Sequence, residues 1–289
     1  MNYRHHFHAG NFADVMKHVL LLQLMRALQA KEKGFLHLDT HAGRGRYDLA
    51  AAATGDSLAR KPEWPDGIGR LWGRTDLPPA IAEYVGLVRE FDRRAGHDGT
   101  QVQSYPGSPW IARLAARQQD RLVLCEKHPE ECAALRGEFA RSDGVTVQET
   151  DGYVAIRASL PPPERRALIL IDPPFEAQDE FAQMTTALAQ GLQRFASGVF
   201  ALWYPLTERA RLEDFFRALR DLKPPPMLVA ELLIAGEDAP LKMKGCGLVV
   251  LNPPWQFDRE AAGPLRFLAE ALQQAPGARG RVEWLVAER

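Results

Sequence analysis

Apolar, strand-like runs alternate with helix-like segments through most of this chain, and this rhythm limits the folds that the chain can adopt. Helix-like segments, in which apolar residues recur every three or four positions, separate the strand-like runs. The runs at 122–126 and 167–172 are almost continuously apolar, as strands buried on both faces are. The alternation therefore predicts an α/β fold, with helices covering both faces of a mostly parallel sheet. Strands are predicted at 35–39, 122–126, 145–149, 167–172, 198–204, 227–234, 246–251 and 281–286.

Residues 47–105 interrupt this rhythm. They combine small residues, loops that contain Gly and Pro, and one helical stretch around 81–94, and they show no strong strand pattern. We therefore predict an inserted, mostly helical subdomain at 47–105. The main domain is predicted to consist of 1–46 and 106–289.

Composition limits the class of protein and its partners. The net charge is −1, so no overall basic field attracts a polyanion, and any nucleic-acid contact has to come from local patches. The three cysteines have no CxxC spacing, which is typical of a reduced intracellular protein. No run approaches the roughly 18 apolar residues of a membrane span, and the first residues lack an apolar leader core. A cytoplasmic location is expected, and the near-neutral charge without an obvious apolar patch favours a monomer.

The residues that follow each strand are the candidate site, because ligands of parallel α/β sheets bind beyond the carboxyl ends of the strands. The first predicted strand runs into DTHAGRG at 39–45, whose two glycines permit a tight turn and a close approach to a ligand. We take Asp39 and Gly43 as candidate cofactor contacts. This signal is weak by itself, because a plain turn explains it equally well and the third glycine of the dinucleotide fingerprint is missing.

Acidic residues follow the next two predicted strands. Glu126 ends the second strand, where an acid can accept hydrogen bonds from ribose hydroxyls. The distance from the glycine loop to this acid is much longer than the usual 20 or so residues, and the insertion accounts for the difference. Asp151 and Gly152 follow the third strand and suit an adenine amino group. Each acid alone is more often a helix cap or a solvated charge, but their order on successive strands favours a nucleoside site.

The fourth predicted strand ends in Asp172-Pro173-Pro174-Phe175, which suits methylation of an adenine amine. That amine is a poor nucleophile, because its lone pair is delocalised into the ring. A carboxylate and a backbone carbonyl of the turn can accept its two N–H groups and free the lone pair for in-line attack on a sulfonium methyl. The prolines hold these acceptors rigidly, and the aromatic ring can stack on a flipped base, worth about 1–3 kcal/mol. Asp172, Pro173 and Phe175 are therefore the candidate catalytic residues.

A second Pro-Pro turn, NPPW at 252–255, has similar local chemistry. Its position in the chain argues against a catalytic role, because it follows two further strands and is expected at the far side of the sheet. We interpret it as a turn that at most faces the substrate.

The amino-terminal segment is the candidate RNA contact. Tyr3, Arg4, His5 and His6 combine an aromatic ring with cationic groups, which suits phosphate binding and base stacking. A metal site is less consistent with this segment, because HxH lacks the second ligand pair of a recognisable site. We therefore predict that no metal is bound.

Lys17 and His18 are isolated polar residues on an otherwise apolar helix that Asn11 is expected to cap. This pattern favours a pocket wall, although a solvated helix face explains it as well. Further basic pairs are candidate RNA contacts, although each pair alone is more often ordinary surface: Arg44 and Arg46, Arg93 and Arg94, Arg165 and Arg166, Lys242 and Lys244.

The chain resembles the ribosomal RNA large subunit methyltransferase J family over essentially its whole length. The resemblance is carried by YRHHFHAGNFADVMKH, FLHLDTHAGRGRY, YPGSPWIARL, LILIDPPFE, ALWYP and NPPW, and such long ordered segments are more specific than DPPF alone. It implies a Rossmann-like class I methyltransferase with an inserted helical subdomain. It also implies that S-adenosylmethionine is the cofactor and that the substrate is N6 of an adenine in 23S rRNA.

The resemblance implies individual roles as well. Asp172 would be the catalytic acceptor and Tyr3 would face the RNA. The sequence departs from the family at Phe175, where we expect Tyr, so stacking is retained but a hydroxyl is not available. The cofactor contacts would be Lys17, His18, His41, Ser108, Glu126, Asp151 and Gly152.

Other functions are compatible with parts of this pattern. DPPF alone does not separate RNA from DNA, but no separate DNA-reading motif is present. A catalytically silent RNA-binding protein would not require the intact Asp172 and glycine loop. A protein-glutamine methyltransferase would depend on NPPW and is disfavoured by the position of that turn.

Overall fold

The computed structural model describes residues 7–50, 61–206 and 209–287. Eight of the ten strands in these ranges form one sheet in the order β10-β8-β9-β7-β6-β1-β4-β5, and β2 pairs with β3. The strands are β1 (Leu36–Asp39), β2 (Arg46–Asp48), β3 (Ser104–Pro106), β4 (Arg121–Glu126), β5 (Val145–Glu149), β6 (Ala167–Ile171), β7 (Val199–Pro205), β8 (Met227–Leu233), β9 (Gly245–Leu251) and β10 (Arg279–Val286).

The α-helices of the described ranges flank the large sheet or belong to the region between β2 and β3. None of them is both long and apolar enough to cross a membrane. They are α1 (Phe12–Gln29), α2 (Ile68–Trp72), α3 (Pro79–Arg94), α4 (Ser108–Ala115), α5 (Pro129–Phe139), α6 (Gly152–Ser159), α7 (Glu180–Arg194), α8 (Arg209–Asp221) and α9 (Phe257–Ala271).

The centre of the large sheet is parallel. β1 lies between β4 and β6, and β5 and β7 extend the parallel part on either side. β9 is antiparallel to both β7 and β8. This mixed, parallel-dominated sheet confirms the predicted Rossmann-like α/β fold.

Alternate residues of the central strands face two separate apolar clusters, as the two-residue period of a strand requires. On β6, Leu168 and Leu170 belong to the cluster that contains α1. Ala167, Ile169 and Ile171 belong to the cluster on the other face, with α7. A strand buried on both faces therefore reads as continuously apolar in the sequence.

Two helix starts show how local sequence positions the site. Asn11 caps α1 as expected, because its side-chain oxygen accepts hydrogen bonds from the backbone N–H groups of Ala13 and Asp14. Gly107, and not Ser108, occupies the cap position of α4. The Ser108 hydroxyl is hydrogen-bonded to Asp39 instead.

The region between β2 and β3 contains α2, α3 and one feature that the sequence pattern does not predict. No strong strand is expected in 47–105, yet β2 and β3 form a short antiparallel pair across the entry and exit of this region. The region also meets the amino-terminal loop closely. The N–H of Ile68 donates to the carbonyl of Gly10 at 2.8 Å, and a Cβ on Gly67 would lie 2.0 Å from that carbonyl oxygen. That residues 47–105 form a separate subdomain stays a prediction.

The direction of β9 decides the location of the second Pro-Pro turn. Because β9 is antiparallel to β7, Leu251 at its end pairs with Phe200 near the start of β7. The Asn252 side chain donates to the carbonyls of Ala196 and Gly198, at the amino end of β7. NPPW therefore lies at the sheet edge opposite to the end of β6, because its strand is reversed and not merely because it is displaced sideways.

One buried histidine in β1 gives a stability prediction. His37 is fully buried, and burial lowers its pKa from 6.5 to about 4. Below pH 6.5, His37 therefore binds a proton in the unfolded chain but stays neutral in the folded protein. The free energy of unfolding consequently falls as the pH falls from 6.5 towards 4. Between pH 8 and pH 5 this group is expected to lower the free energy of unfolding by about 2 kcal/mol.

Urea unfolding of a His37→Leu variant at both pH values measures this contribution. The variant is expected to lose part of the pH dependence of stability, whereas at pH 8, where His37 is neutral in both states, only the packing change remains. An unchanged pH dependence would contradict the assignment.

Candidate active site

A cavity of about 1140 Å³ opens at the carboxyl ends of the parallel strands, where the sequence predicts a ligand. Loops after β1, β4, β5 and β6 form its walls, together with the first turns of α1, residues 61–63 before α2 and residues 241–243 before β9. Nearly all the site residues expected in the described ranges line it: Lys17, His18, His41, Gly43, Ser108, Glu126, Asp151, Gly152, Asp172, Pro173 and Phe175.

The loop after β1 depends on glycine for its shape. Gly43 and Gly45 have φ values of +59° and +83°, a conformation that glycine adopts without the steric cost of a side chain. The N–H of Gly43 donates to Glu126 at 2.8 Å. The other Glu126 oxygen accepts from the N–H of His128 at 2.7 Å. The acid at the end of β4 is therefore fixed by backbone donors beside the glycine loop.

Asp39 lies beneath the cavity and not in its wall. The side chain is fully buried and accepts hydrogen bonds from the Ser108 hydroxyl at 2.7 Å and the His41 N–H at 3.3 Å. Burial raises the pKa of Asp39 to about 6, although the Ser108 hydrogen bond opposes this. Asp39 therefore supports two residues that do line the cavity, Ser108 and His41, and its own contact with a cofactor stays a prediction.

The structure explains why Asp stands at position 151 and Gly at position 152, and the two reasons differ. Asp151 caps α6 through the N–H of Tyr153, and its other oxygen accepts from Lys127 at 2.8 Å. Although burial acts to raise it, the Lys127 ammonium lowers the pKa of Asp151 overall. A Cβ on Gly152 would lie 2.0 Å from the carbonyl oxygen of Thr40, so only glycine allows α6 to approach the end of β1 this closely.

A buried lysine holds the carboxylate that ends β6. Lys17 Nζ lies 2.5 Å from Asp172 Oδ2 and 2.9 Å from Asp14 Oδ1. The three side chains are only 8%, 14% and 5% exposed, in that order. Although burial alone would lower it, the two carboxylates raise the pKa of Lys17 well above its ordinary value. Lys17 therefore stays protonated and fixes the orientation of Asp172.

Phe175 is held in place by other aromatic rings. Its backbone has a φ of +50°, which is unusual for a residue with a bulky side chain. Its ring contacts Phe181 and Trp203 edge to face, at centroid distances of 5.0 and 5.7 Å. These contacts leave the half-buried ring in the cavity wall beside Asp172.

The two histidines of the site have different surroundings. His41 contacts the Tyr153 ring edge to face at 5.1 Å, and its Nδ1 lies 2.8 Å from the Thr40 hydroxyl. Burial lowers the pKa of His41 to about 4, so its ring is neutral at physiological pH. His18 Nδ1 lies 2.9 Å from the hydroxyl of Tyr105, which in turn lies 2.8 Å from that of Tyr84.

Sequence reasoning missed several residues of the site. Tyr84 and Tyr105 lie in the region taken as an insertion, and no local pattern connects them to His18. Tyr153 donates a hydrogen bond to Glu180 at 2.5 Å. Its position directly after Asp151 and Gly152 is the sequence feature that could have identified it as a site residue. Trp203 lies in ALWYP, a segment that carries the family resemblance but to which the resemblance assigns no function.

The lining of the cavity is acidic. Among its described residues, the Lys and Arg side chains are Lys17, Arg44, Lys61, Lys127 and Lys242. Twice as many are carboxylates: Asp14, Glu63, Asp66, Glu126, Glu130, Glu131, Asp151, Asp172, Glu176 and Glu180. Such a lining attracts a cationic ligand group and repels phosphate.

The candidate RNA contacts separate into four groups. Tyr3, Arg4, His5 and His6 lie outside the described residues. Arg44, Arg46, Arg93 and Arg94 form ion pairs with glutamates, and Arg166 and Lys244 donate to backbone carbonyls. Of the remaining two, Arg165 is exposed in the loop before β6, whereas Lys242 is exposed at the cavity.

Comparison with known proteins agrees with the fold. Residues 32–286 match the family described as "Ribosomal RNA large subunit methyltransferase D, RlmJ". The chain is 38% identical over 288 residues to Ribosomal RNA large subunit methyltransferase J of Escherichia coli K12, covering 100% of both. The protein of that name from Haemophilus influenzae matches to the same extent. The crystal structure of protein LPL1258 from Legionella pneumophila has a TM-score of 0.85 at 35% identity, covering 96% of this chain and 98% of that one.

Proposed function

Because the chain belongs to the RlmJ family of ribosomal RNA large subunit methyltransferases, we propose that it methylates N6 of one adenine in 23S rRNA with S-adenosylmethionine. The observation that carries the proposal is the arrangement of Asp172. One of its oxygens is held by Lys17 at 2.5 Å, and within the described chain Oδ1 accepts no hydrogen bond. This oxygen is available to an amine at the cavity wall.

The residues around the cavity fit the proposed cofactor. The acidic lining suits a sulfonium cation, and Glu126 keeps lone pairs for ribose hydroxyls beside its two backbone donors. Asp151, Ser108 and the neutral His41 add further polar groups along the same wall. When bound, S-adenosylmethionine supplies an electrophilic methyl group; everything else in the reaction is positioning and proton transfer by the protein.

Asp172 is the proposed hydrogen-bond acceptor for the adenine amine. Its Oδ1 and a carbonyl of the Asp172-Pro173-Pro174 turn accept the two N6–H groups, which localises the nitrogen lone pair. As the nitrogen gains the methyl group it must lose a proton, which the Asp172 carboxylate can accept. Phe175 stacks on the flipped base, and its missing hydroxyl excludes any additional hydrogen bond there.

The rim of the cavity suggests how the RNA backbone is held. In the described chain, Lys17, Arg44 and Lys127 are each paired with a carboxylate, whereas Lys61 and Lys242 are exposed and form no ion pair. They come from separate loops at the mouth of an otherwise acidic cavity. We infer that they contact phosphates beside the flipped adenine, and that of the RNA only the neutral base enters the acidic interior.

Neutralising these lysines is expected to weaken RNA binding without affecting the cofactor. A Lys61→Gln, Lys242→Gln double variant should bind an rRNA fragment about tenfold more weakly near 0.15 M salt and show a shallower salt dependence, by about one to two phosphate contacts. Its affinity for S-adenosylmethionine should not change. Lys31→Gln, which removes an exposed lysine at the opposite sheet edge, is the matched control. Equal weakening by both variants would contradict a specific contact.

The proposed activity is tested by mapping N6-methyladenine in 23S rRNA from cells with and without the gene. Loss of one modified adenine on deletion, and its return when the chain is expressed, is the expected result. Purified protein should methylate rRNA and not duplex DNA in parallel assays. Preference for DNA would replace the proposed substrate, and RNA binding without methylation would indicate a catalytically silent protein. An rRNA substrate is consistent with the expected cytoplasmic location; a monomeric state stays a prediction.

A further inference from the structure

Three polar side chains form a continuous hydrogen-bonded row behind the cavity. Tyr84 on α3, Tyr105 on β3 and His18 on α1 are all buried. The hydroxyls of the tyrosines lie 2.8 Å apart, and the Tyr105 hydroxyl lies 2.9 Å from His18 Nδ1. The Tyr105 and His18 rings are also stacked, at 5.8 Å and 25°. Of the three residues, only His18 lines the cavity.

The end of this row determines the direction of its hydrogen bonds. Tyr84 has no hydrogen-bond partner other than Tyr105 in the described chain, and a buried hydroxyl hydrogen without an acceptor is costly. Tyr84 therefore donates to Tyr105, and Tyr105 donates to His18. Nδ1 of His18 must then be an acceptor, so the proton of a neutral imidazole resides on Nε2.

The opposite direction is unfavourable for the same reason. If Nδ1 of His18 carried a proton, it would donate to Tyr105, and Tyr105 would donate to Tyr84. The Tyr84 hydrogen would then have no acceptor in the described chain, whereas an Nε2–H on His18 belongs to a residue that lines the cavity and can be satisfied by a bound ligand.

We propose that Tyr84 and Tyr105 are positioning residues that fix His18 as the neutral Nε2–H tautomer, ready to donate a hydrogen bond to the cofactor. The donor suits the carboxylate of the methionine part of S-adenosylmethionine. The region between β2 and β3 thereby contributes to cofactor binding through two side chains that do not reach the cofactor. This role rests on the proposed function, whereas the tautomer itself does not depend on any activity.

Nitrogen NMR of the protein labelled with ¹⁵N-histidine tests the tautomer directly. At pH 7 the His18 ring, assigned by loss of its signals in His18→Gln, is expected to show a protonated Nε2 and an unprotonated Nδ1. A protonated Nδ1 or an imidazolium ring would overturn the proposal. If the tautomer is as expected but rRNA is not methylated, the proposed function fails and the assignment of the row does not.

Tyrosine variants test whether the row matters for binding. Tyr105→Phe should release His18 into a mixture of tautomers and weaken S-adenosylmethionine binding about tenfold, the effect of losing one oriented hydrogen bond. Tyr84→Phe should produce a smaller change of the same kind. Tyr204→Phe is the control, because it also removes a buried hydroxyl, which is bonded to Glu231 at 2.7 Å and belongs to the apolar cluster on the other face of the sheet from α1. Unchanged His18 signals and affinity in Tyr105→Phe would show that the tyrosines only pack.

Discussion

Replacing Asp172 with Asn is expected to reduce methyl transfer by about 10²–10³-fold, even though an amide oxygen can accept a hydrogen bond from an amine. Lys17 Nζ already binds one oxygen of residue 172 at 2.5 Å. The single oxygen of Asn would turn towards this ammonium, because hydrogen bonds to charged groups are the stronger ones. The NH₂ group would then face the N–H groups of adenine, donor against donor.

This explains why the turn needs a carboxylate. Lys17 and the substrate each require an oxygen, and only Asp supplies two. The expected result is a lower rate in single-turnover assays with an rRNA fragment, with cofactor affinity within about twofold of the unchanged protein, since the fold and cavity are retained.

A second substitution provides the control for this explanation. In the Lys17→Met, Asp172→Asn double variant, the amide oxygen no longer has a cation to satisfy and can turn towards the substrate. This variant should be about tenfold more active than Asp172→Asn alone, an interaction between neighbouring residues of the expected sign. A fully active Asp172→Asn variant, or a double variant less active than both single ones, would contradict the proposed competition for oxygen.

Lys17→Met alone is expected to lower the free energy of unfolding by about 3 kcal/mol. The ammonium lies between Asp14 and Asp172, which are 5% and 14% exposed. Its removal takes away the cation that both of these buried carboxylates contact. Urea unfolding at pH 7 measures the loss, and methyl transfer should also fall because Asp172 is no longer oriented.

A second variant restores part of the balance between buried positive and negative charges. Asp14→Asn combined with Lys17→Met removes one buried charge of each sign, so it should be more stable than Lys17→Met alone. Because the folded-state pKa of Lys17 is raised, its contribution is complete below the unfolded pKa near 10.5 and is lost only as the pH rises through the higher folded value. The difference between the unchanged protein and Lys17→Met should therefore not decline between pH 7 and pH 9.

The central strands and the sheet edge that holds the cavity could be predicted because buried parallel strands leave a continuous apolar pattern. The pattern at 167–172 identifies both β6 and the residue that follows it. The short strands β2 and β3 have no such signal, because three residues are too few for a period to show. The reversal of β9 is also absent from its own composition, which is apolar in either direction. The sequence argument against Asn252 therefore rested on its order in the chain, whereas the structure separates it from the cavity by strand direction.

Side-chain partners were less predictable than backbone elements. Lys17 and Asp172 are both predicted site residues, yet nothing in the local sequence indicates that they meet across 155 positions. Asp39 follows a strand as Glu126 does, but β1 is central and β4 lies nearer the edge of the sheet, so Asp39 is covered and Glu126 is not. Tyr105 joins His18 across 87 positions. Such contacts depend on the tertiary structure, so no single segment of the sequence predicts them.

The central position of β1 has a consequence for synthesis of the chain. Leu36 pairs with Arg121 on one side and with Ala167 on the other, so the strand emerges from the ribosome long before either neighbour exists. At roughly 5–20 residues per second, β1 waits on the order of ten seconds for β6. Until then its apolar residues and unpaired backbone are open to chaperones. A nascent chain halted before residue 167 should therefore remain chaperone-bound and protease-sensitive, whereas one extended past β7 should not.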